Sequence, residues 1–218
     1  GRIAGSTAMS CWALVPLKAR RFGKTRLSGL LDEAARGALV QSMLETVLSA
    51  LSAAQEIDRI AVVSSEPERI PAGVLALPDP GEGLNPALIA AADRLLDHGA
   101  SSLLVIHADL PLVRASEIDQ FVRAGRRQGM ALAADRHGTG TNALFVADRL
   151  DFPFRFGTNS LSRHLAEARL RRITPALPAL NGLAIDIDTP ADLACLWPAA
   201  AAPFTPSRWS PTPCTTSL

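Results

Sequence analysis

Leu103-Leu104-Val105-Ile106-His107-Ala108-Asp109-Leu110-Pro111 sets four apolar residues directly before a carboxylate and a proline. Preceded by Gly99-Ala100-Ser101-Ser102, the apolar run reads as a strand covered on both faces, as in a parallel sheet. Pro111 stops the strand from running on. Asp109 then sits just past its end, and in open α/β sheets the space beyond the carboxyl ends of the strands is where ligands bind. A second acidic strand end is expected at Leu183-Ala184-Ile185-Asp186-Ile187-Asp188-Thr189-Pro190. The two ends are expected to meet at a divalent metal.

Upstream, Trp12 to Pro16 is a first short strand, Ile60 to Val63 a second and Val74 to Leu77 a third. Between the first two, Leu39, Met43, Leu44, Val47, Leu48 and Leu51 recur at the spacing of an amphipathic helix running from about Asp32 to Ala53. Gly81-Glu82-Gly83-Leu84-Asn85-Pro86 reads as a turn into a helix, with Asn85 as its cap and Pro86 as its first residue. That helix should stop near His98, with Gly99 past its end. Downstream, a helix from a Ser116 cap to Arg127 and a strand over Met130 to Ala134 precede a glycine-rich loop, Asp135 to Asn142. A strand over Ala143 to Val146 follows, and Phe156-Gly157-Thr158-Asn159-Ser160 opens a helix to about Leu170. Thr189-Pro190-Ala191-Asp192 reads as cap, proline and acid of a last helix. Strands alternating with helices indicate an α/β sandwich around a mostly parallel sheet.

The remaining composition narrows the class. Residues 1–10 are expected to be a leader or expression remnant, with Met9 the natural start; 11–197 form the folded domain, and 198–218 a disordered tail of Pro, Ala, Ser and Thr. Lys and Arg total 22 against 21 Asp and Glu, so no global field favours nucleic acid or an anionic membrane. The three cysteines lie far apart, which disfavours structural zinc and a disulfide scaffold and fits a reducing cytoplasm. No apolar run reaches the roughly 18 to 20 residues of a membrane span.

The strongest basic cluster is Lys18 to Arg26, five cations in nine residues. Gly23-Lys24-Thr25 mimics the end of a phosphate-binding P-loop, but the glycine required five positions earlier is Lys18. What remains suits a triphosphate held by side-chain charge and backbone amides. Asp109, Asp186 and Asp188 taken singly are ordinary turn and cap residues. Their conjunction with the basic loop is what matters, because Mg²⁺ is typically held by one or two carboxylates plus polyphosphate oxygens. The Gly138 to Asn142 loop and the helix start at Gly157 to Ser160 together suggest a second anion site. The four histidines have no metal-ligand spacing, and no serine has the local signs of a nucleophile.

In order, the basic loop, the GLN turn, the ADLP strand end, the GTGTN loop, the FG-x-x-S helix start with His164, and the D-x-DTP end resemble the 2-phospho-L-lactate guanylyltransferase family of coenzyme F-420 biosynthesis. ADLP and DxDTP are shared with the wider MobA-like nucleotidyltransferases. The resemblance covers about Trp12 to Leu196; the chain departs from the family pattern at Arg20-Arg21-Phe22-Gly23. It implies a Rossmann-like, GT-A-type fold and transfer of GMP from GTP to a small phospho-acid: 2-phospho-L-lactate, phosphoenolpyruvate or 3-phospho-D-glycerate. By the same resemblance Lys18, Lys24 and Arg26 would hold the triphosphate, with Lys18, Lys24 and Asp109 catalytic. Gly83 and Asn85 would help seat the nucleoside. Asp109, Asp186 and Asp188 would hold Mg²⁺, and Thr141, Gly157 and Ser160 the phospho-acid. A cytoplasmic enzyme, with a homodimer compatible, is expected. The alternatives are another MobA-like nucleotidyltransferase, for molybdenum-cofactor or sugar nucleotides, and a non-catalytic GTP-binding module.

Overall fold

Five strands running one way and a sixth inserted against them build the central sheet. The computed structural model describes residues 10–18, 24–148 and 150–196. Of the leader expected over residues 1–10, residues 1–9 lie outside the described residues and Ser10 is instead the first residue of the first strand; the departures at Arg20 to Gly23 and the tail from residue 198 also lie outside them.

The strands are β1 (Ser10–Leu17), β2 (Arg59–Ser64), β3 (Leu75–Pro78), β4 (Ala100–Ile106), β5 (Met130–Ala134) and β6 (Thr141–Ala147), in the order β3-β2-β1-β4-β6-β5. β1 pairs in parallel with β2 and β4, and β2 with β3, whereas β6 runs antiparallel to both β4 and β5. The helices are α1 (Glu33–Ala53), α2 (Leu84–Asp97), α3 (Ala115–Gln128), α4 (Ser160–Leu170), α5 (Asn181–Ala184) and α6 (Pro190–Leu196).

Period-two alternation sorts the central strands between two cores. Cys11, Ala13 and Val15 of β1 join Leu104 and Ile106 of β4 in one cluster, under α1 and α3. Trp12 and Leu14 join Leu103 and Val105 in the other, under α2. This two-sided cover explains why both strands read as unbroken apolar runs. Because β1 leads outward to β2 and β3 while β4 leads the other way to β5, the strand order switches between β1 and β4. Their carboxyl ends therefore flank a crevice.

Several expected boundaries moved, each for a physical reason. α2 begins at Leu84, and Gly83, not Asn85, stands at its cap with φ of +105°. The Asn85 amide is engaged elsewhere, as described below. Ser116 lies inside the first turn of α3; the Glu117 carboxylate instead accepts from the Arg114 N–H at 3.2 Å. Thr141 and Asn142 are strand residues, since the hairpin closes earlier with Asp135 accepting from the Thr139 N–H at 2.9 Å.

The larger correction concerns residues 183–188, which form no strand. They comprise the end of α5 followed by an unpaired extended run. Leu183 and Ile187 are buried by packing: Leu183 joins the α1/α3 core, and Ile187 joins Leu27, Leu31, Leu39, Met43 and Leu193. The free edge of β5 is taken by Ala176, whose carbonyl accepts from the Leu132 N–H at 2.9 Å. The last helix has the expected reciprocal cap: Asp192 accepts from the Thr189 N–H at 2.7 Å, and the Asp192 N–H donates to the Thr189 hydroxyl at 3.3 Å.

α5 is clamped in place. The Gly182 N–H donates to Glu117 at 2.8 Å, and a Cβ at Gly182 would fall against the Glu117 carboxylate and 2.7 Å from the Leu112 carbonyl oxygen. Gly182→Ala should therefore lower stability by about 1–3 kcal/mol through overpacking, read as an earlier thermal unfolding midpoint. An unchanged midpoint would mean that α5 can shift away from α3 freely.

Candidate functional site

A cleft of about 520 Å³ opens at the carboxyl edge of the sheet. Its lining comes from chain segments far apart in sequence: Lys18 and Lys24 after β1, His107 and Asp109 after β4, Thr141 and Asn142 at the start of β6, the turn from Gly157 to Ser160, and Asp186 and Asp188. The antiparallel course of β6 is what brings its first residues here, because Ala134 at the end of β5 pairs with Thr141. A second hollow of about 660 Å³ lies at the amino ends of the strands, around Trp12, Arg59 and His98. It does not include the acidic cluster described next.

Asp109, Asp186 and Asp188 each present an oxygen, and these oxygens lie within 4.8 Å of one another. Lys24 answers this charge. Its ammonium donates to Asp109 Oδ2 at 2.6 Å and to Asp188 Oδ1 at 2.8 Å. Burial works against Lys24 carrying charge, yet Asp109 and Asp188 hold its pKa above the ordinary value. Burial likewise opposes ionisation of Asp109, but the adjacent Lys24 ammonium keeps that carboxyl below its usual range. Asp186 makes no ion pair among the described residues: burial, with repulsion from Asp109 and Asp188, outweighs the more distant Lys24 charge and pushes it up to about 6.

The acidic run is fastened on both sides. The Asn142 amide donates to the Leu183 and Ala184 carbonyls at 3.0 and 3.2 Å, tying α5 to β6. The Asp188 N–H donates to Asp192 at 2.9 Å, and Asp192 in turn pairs with Arg136. Asp109 Oδ1 and His107 Nε2 are buried with no hydrogen-bond partner among the described residues. Burial, reinforced by Lys24 and Lys18 and opposed by Asp109, lowers the His107 pKa.

The rest of the lining carries mainly hydroxyls and amides, with the Asp135 carboxylate held by the Thr139 N–H. Gly157, with φ of +116°, adopts a backbone that L side chains rarely reach, and leads through left-handed Asn159 into α4. Ser160 and His164, four residues apart, share the buried stripe of α4. Thr141 Oγ1 lies 3.0 Å from His164 Nδ1, and the Arg155 N–H donates to His164 Nε2 at 2.9 Å. One residue further on, Asn85 accepts from the Phe156 N–H at 2.8 Å and donates to the Phe156 carbonyl at 3.0 Å.

Of the residues singled out from sequence, Lys18, Lys24, Arg26, Asp109, Thr141, Gly157, Ser160, Asp186 and Asp188 all line this cleft. Gly83 and Asn85 do not; Leu84 between them does. Lys24 meets the carboxylates directly, which the sequence reading did not anticipate. It also missed the anchoring roles of Asn142, Asp192 and Arg136. A signal existed for Asp192 in its spacing from Thr189; none existed for the other two, whose partners lie about 40 and 56 residues away.

A family model described as "Guanylyl transferase CofC like" matches residues 11–197. A phosphoenolpyruvate guanylyltransferase of Sphaerobacter thermophilus is 42% identical over 189 residues, covering 85% of this chain and 91% of that protein. One from Rubrobacter xylanophilus is 35% identical, covering 92% of this chain and all of its own length. Among solved structures, one from Desulfovibrio desulfuricans G20 named among the nucleotide-diphospho-sugar transferases superposes with a TM-score of 0.70 at 15% identity, covering 87% of each chain.

His164 also yields a pH dependence. Burial, with the positive charges around it, pushes its pKa down to about 4, against about 6.5 in an unfolded chain. Between these values the unfolded state binds the extra proton, so stability rises with pH there and falls as pH drops from about 6.5 towards 4. At 1.36 kcal/mol per pH unit the full effect is about 3 kcal/mol, of which about 2 kcal/mol is lost by pH 5. Urea unfolding at pH 7 and pH 5, for the native chain and for His164→Gln, should show this loss shrinking in the variant. Equal losses in both would remove His164 as the cause.

Proposed function

We propose, for a chain that belongs to the guanylyl transferase CofC-like family, the transfer of GMP from GTP to the phosphate of phosphoenolpyruvate, with release of pyrophosphate. The observation that carries this reading is the cleft's two unlike walls. A part lined by carboxylates and lysines stands beside a part lined mainly by hydroxyls and backbone amides, where the one carboxylate, Asp135, is engaged by the Thr139 N–H. Two anionic substrates need such an arrangement, one seat balanced by cations and one by hydrogen-bond donors.

The acceptor phosphate is already nucleophilic at neutral pH, so no serine, cysteine or histidine need be activated. One of its oxygens attacks the α-phosphorus of GTP, a new P–O bond forms, and the bond from the α-phosphorus to the bridging oxygen breaks as pyrophosphate leaves. The chain's contribution is alignment and charge balance. Lys18, Lys24 and Arg26 would face the triphosphate. Thr141, Gly157 and Ser160 would hold the phospho-acid. Gly83 and Asn85 would act on the nucleoside side through the shape of the turn that carries Leu84.

The donors present fit a hard divalent cation. Three carboxylates converge, and a buried oxygen of Asp109 has no partner among the described residues. Asp109 and Asp186, with Asp188, would hold Mg²⁺. When bound, Mg²⁺ would neutralise phosphate charge and polarise the α-phosphoryl group. Lys24, now paired with Asp109 and Asp188, would then be free to turn its ammonium towards the phosphates.

Pyrophosphate release should require GTP, a divalent cation and phosphoenolpyruvate together. 2-Phospho-L-lactate and 3-phospho-D-glycerate serve as rival acceptors, and ATP and CTP as nucleotide controls. Turnover with another of these acids would rename the substrate; turnover with none would return the chain to the wider nucleotidyltransferases. Asp109→Asn should reduce kcat by about 10²–10³-fold while the thermal midpoint stays within a few degrees. A near-normal rate would remove Asp109 from the reaction.

A further inference from the structure

The geometry points to His164 as a positioning residue that fixes the Thr141 hydroxyl as a hydrogen-bond donor towards the phospho-acid. This rests on the reading of Thr141 as part of the acceptor seat.

The direction of each bond follows from one fact. A backbone N–H can only donate, so His164 Nε2, 2.9 Å from the Arg155 nitrogen, must be the acceptor. A neutral imidazole whose Nε2 carries the lone pair bears its proton on Nδ1. Nδ1–H therefore donates to Thr141 Oγ1 at 3.0 Å. With that approach taken by a donor, the Thr141 O–H must direct its own proton elsewhere, and Thr141 lines the cleft. A free hydroxyl can turn either way. This one cannot, and it is set to meet an acceptor such as a phosphate or carboxylate oxygen.

The surroundings hold the arrangement. His164 has no exposed surface and Thr141 is buried apart from its face on the cleft. The Phe156 ring meets the imidazole edge-on at 4.8 Å, and Phe152 lies at 6.2 Å. The charged or titratable groups acting on the ring are Arg155, Glu167 on α4, and His107 beyond Phe156. Protonating the imidazole would set an N–H against the Arg155 N–H, so the same hydrogen bond that fixes the tautomer also disfavours the charged form.

Two variants separate the two bonds. His164→Asn keeps a donor at the Nδ1 position, and His164→Gln keeps an acceptor near the Nε2 position. We expect His164→Gln to raise KM for phosphoenolpyruvate by about ten-fold with KM for GTP within about two-fold. His164→Asn should hold the acid KM within about three-fold of the native value. In a Thr141→Val background, His164→Gln should add less than about two-fold. Equal effects on both substrates, or a better acid KM for Gln than for Asn, would overturn the inference. Nitrogen-15 spectra of the imidazole in the native chain, without substrates, give a readout independent of turnover. An Nδ1–H tautomer near pH 7 supports it; an Nε2–H tautomer or an imidazolium overturns it. If no phospho-acid releases pyrophosphate, the proposed reaction fails, and the tautomer alone then decides whether His164 sets the hydroxyl.

Discussion

The Lys24 ammonium, seated between Asp109 and Asp188, is the interaction on which the mouth of this sheet depends. It joins three segments separated by 85 and 164 residues in sequence. Its side chain is 9% exposed, that of Asp109 23% and that of Asp188 53%, so the pair grades from buried to wet along one line. Burial of an ion pair carries a desolvation cost that the attraction offsets only with good geometry. Here the cost falls on Lys24 and Asp109, and the distances are short. Without the lysine, three carboxylate oxygens within 4.8 Å would face each other. Burial, with repulsion from Asp109 and Asp188, raises the pKa of Asp186, which forms no ion pair with the lysine.

Everything else about the site follows from how few elements need to be irregular. β1 and β4 are buried on both faces and end side by side at the switch in strand order. Reversing β6 between β4 and β5 brings Thr141 and Asn142 to the same edge as Asp109 without a long loop. Asn142 then performs two tasks: its backbone carbonyl accepts from the His107 N–H at 3.0 Å, while its side chain holds α5. The acidic run and the β4 end are thus braced by a single strand residue.

The α/β sandwich was legible because the apolar runs and helical stripes report burial, and burial on both faces is what the sheet requires of β1 and β4. The same logic misled at Leu183 to Asp188. Alternation there reflects Leu183 and Ile187 entering two cores, with no ladder to complete. Asn before Pro favours a cap at Asn85, but Gly83 with its positive φ takes the cap position and leaves the Asn85 amide to bond Phe156. Cleft-lining residues such as Asp109, Thr141 and Ser160 were legible through local motifs. The bonds that orient them, His164 to Thr141 and Asn142 to α5, join distant parts of the chain and leave no local mark.

The double bond from the Asn85 amide to the backbone of Phe156 has a mechanical meaning. It ties the first turn of α2 to the segment leading to Gly157, so Leu84 and Gly157, which both line the cleft, are linked through one frame at this point. A frame of this kind sets the gap between its seats when the chain folds, before anything arrives. The orientational entropy that two separate molecules would lose on meeting is then partly lost in advance by the protein. On the proposed reaction, an acceptor of different length would meet a set gap, and selection by size would be a property of the scaffold rather than of any one contact.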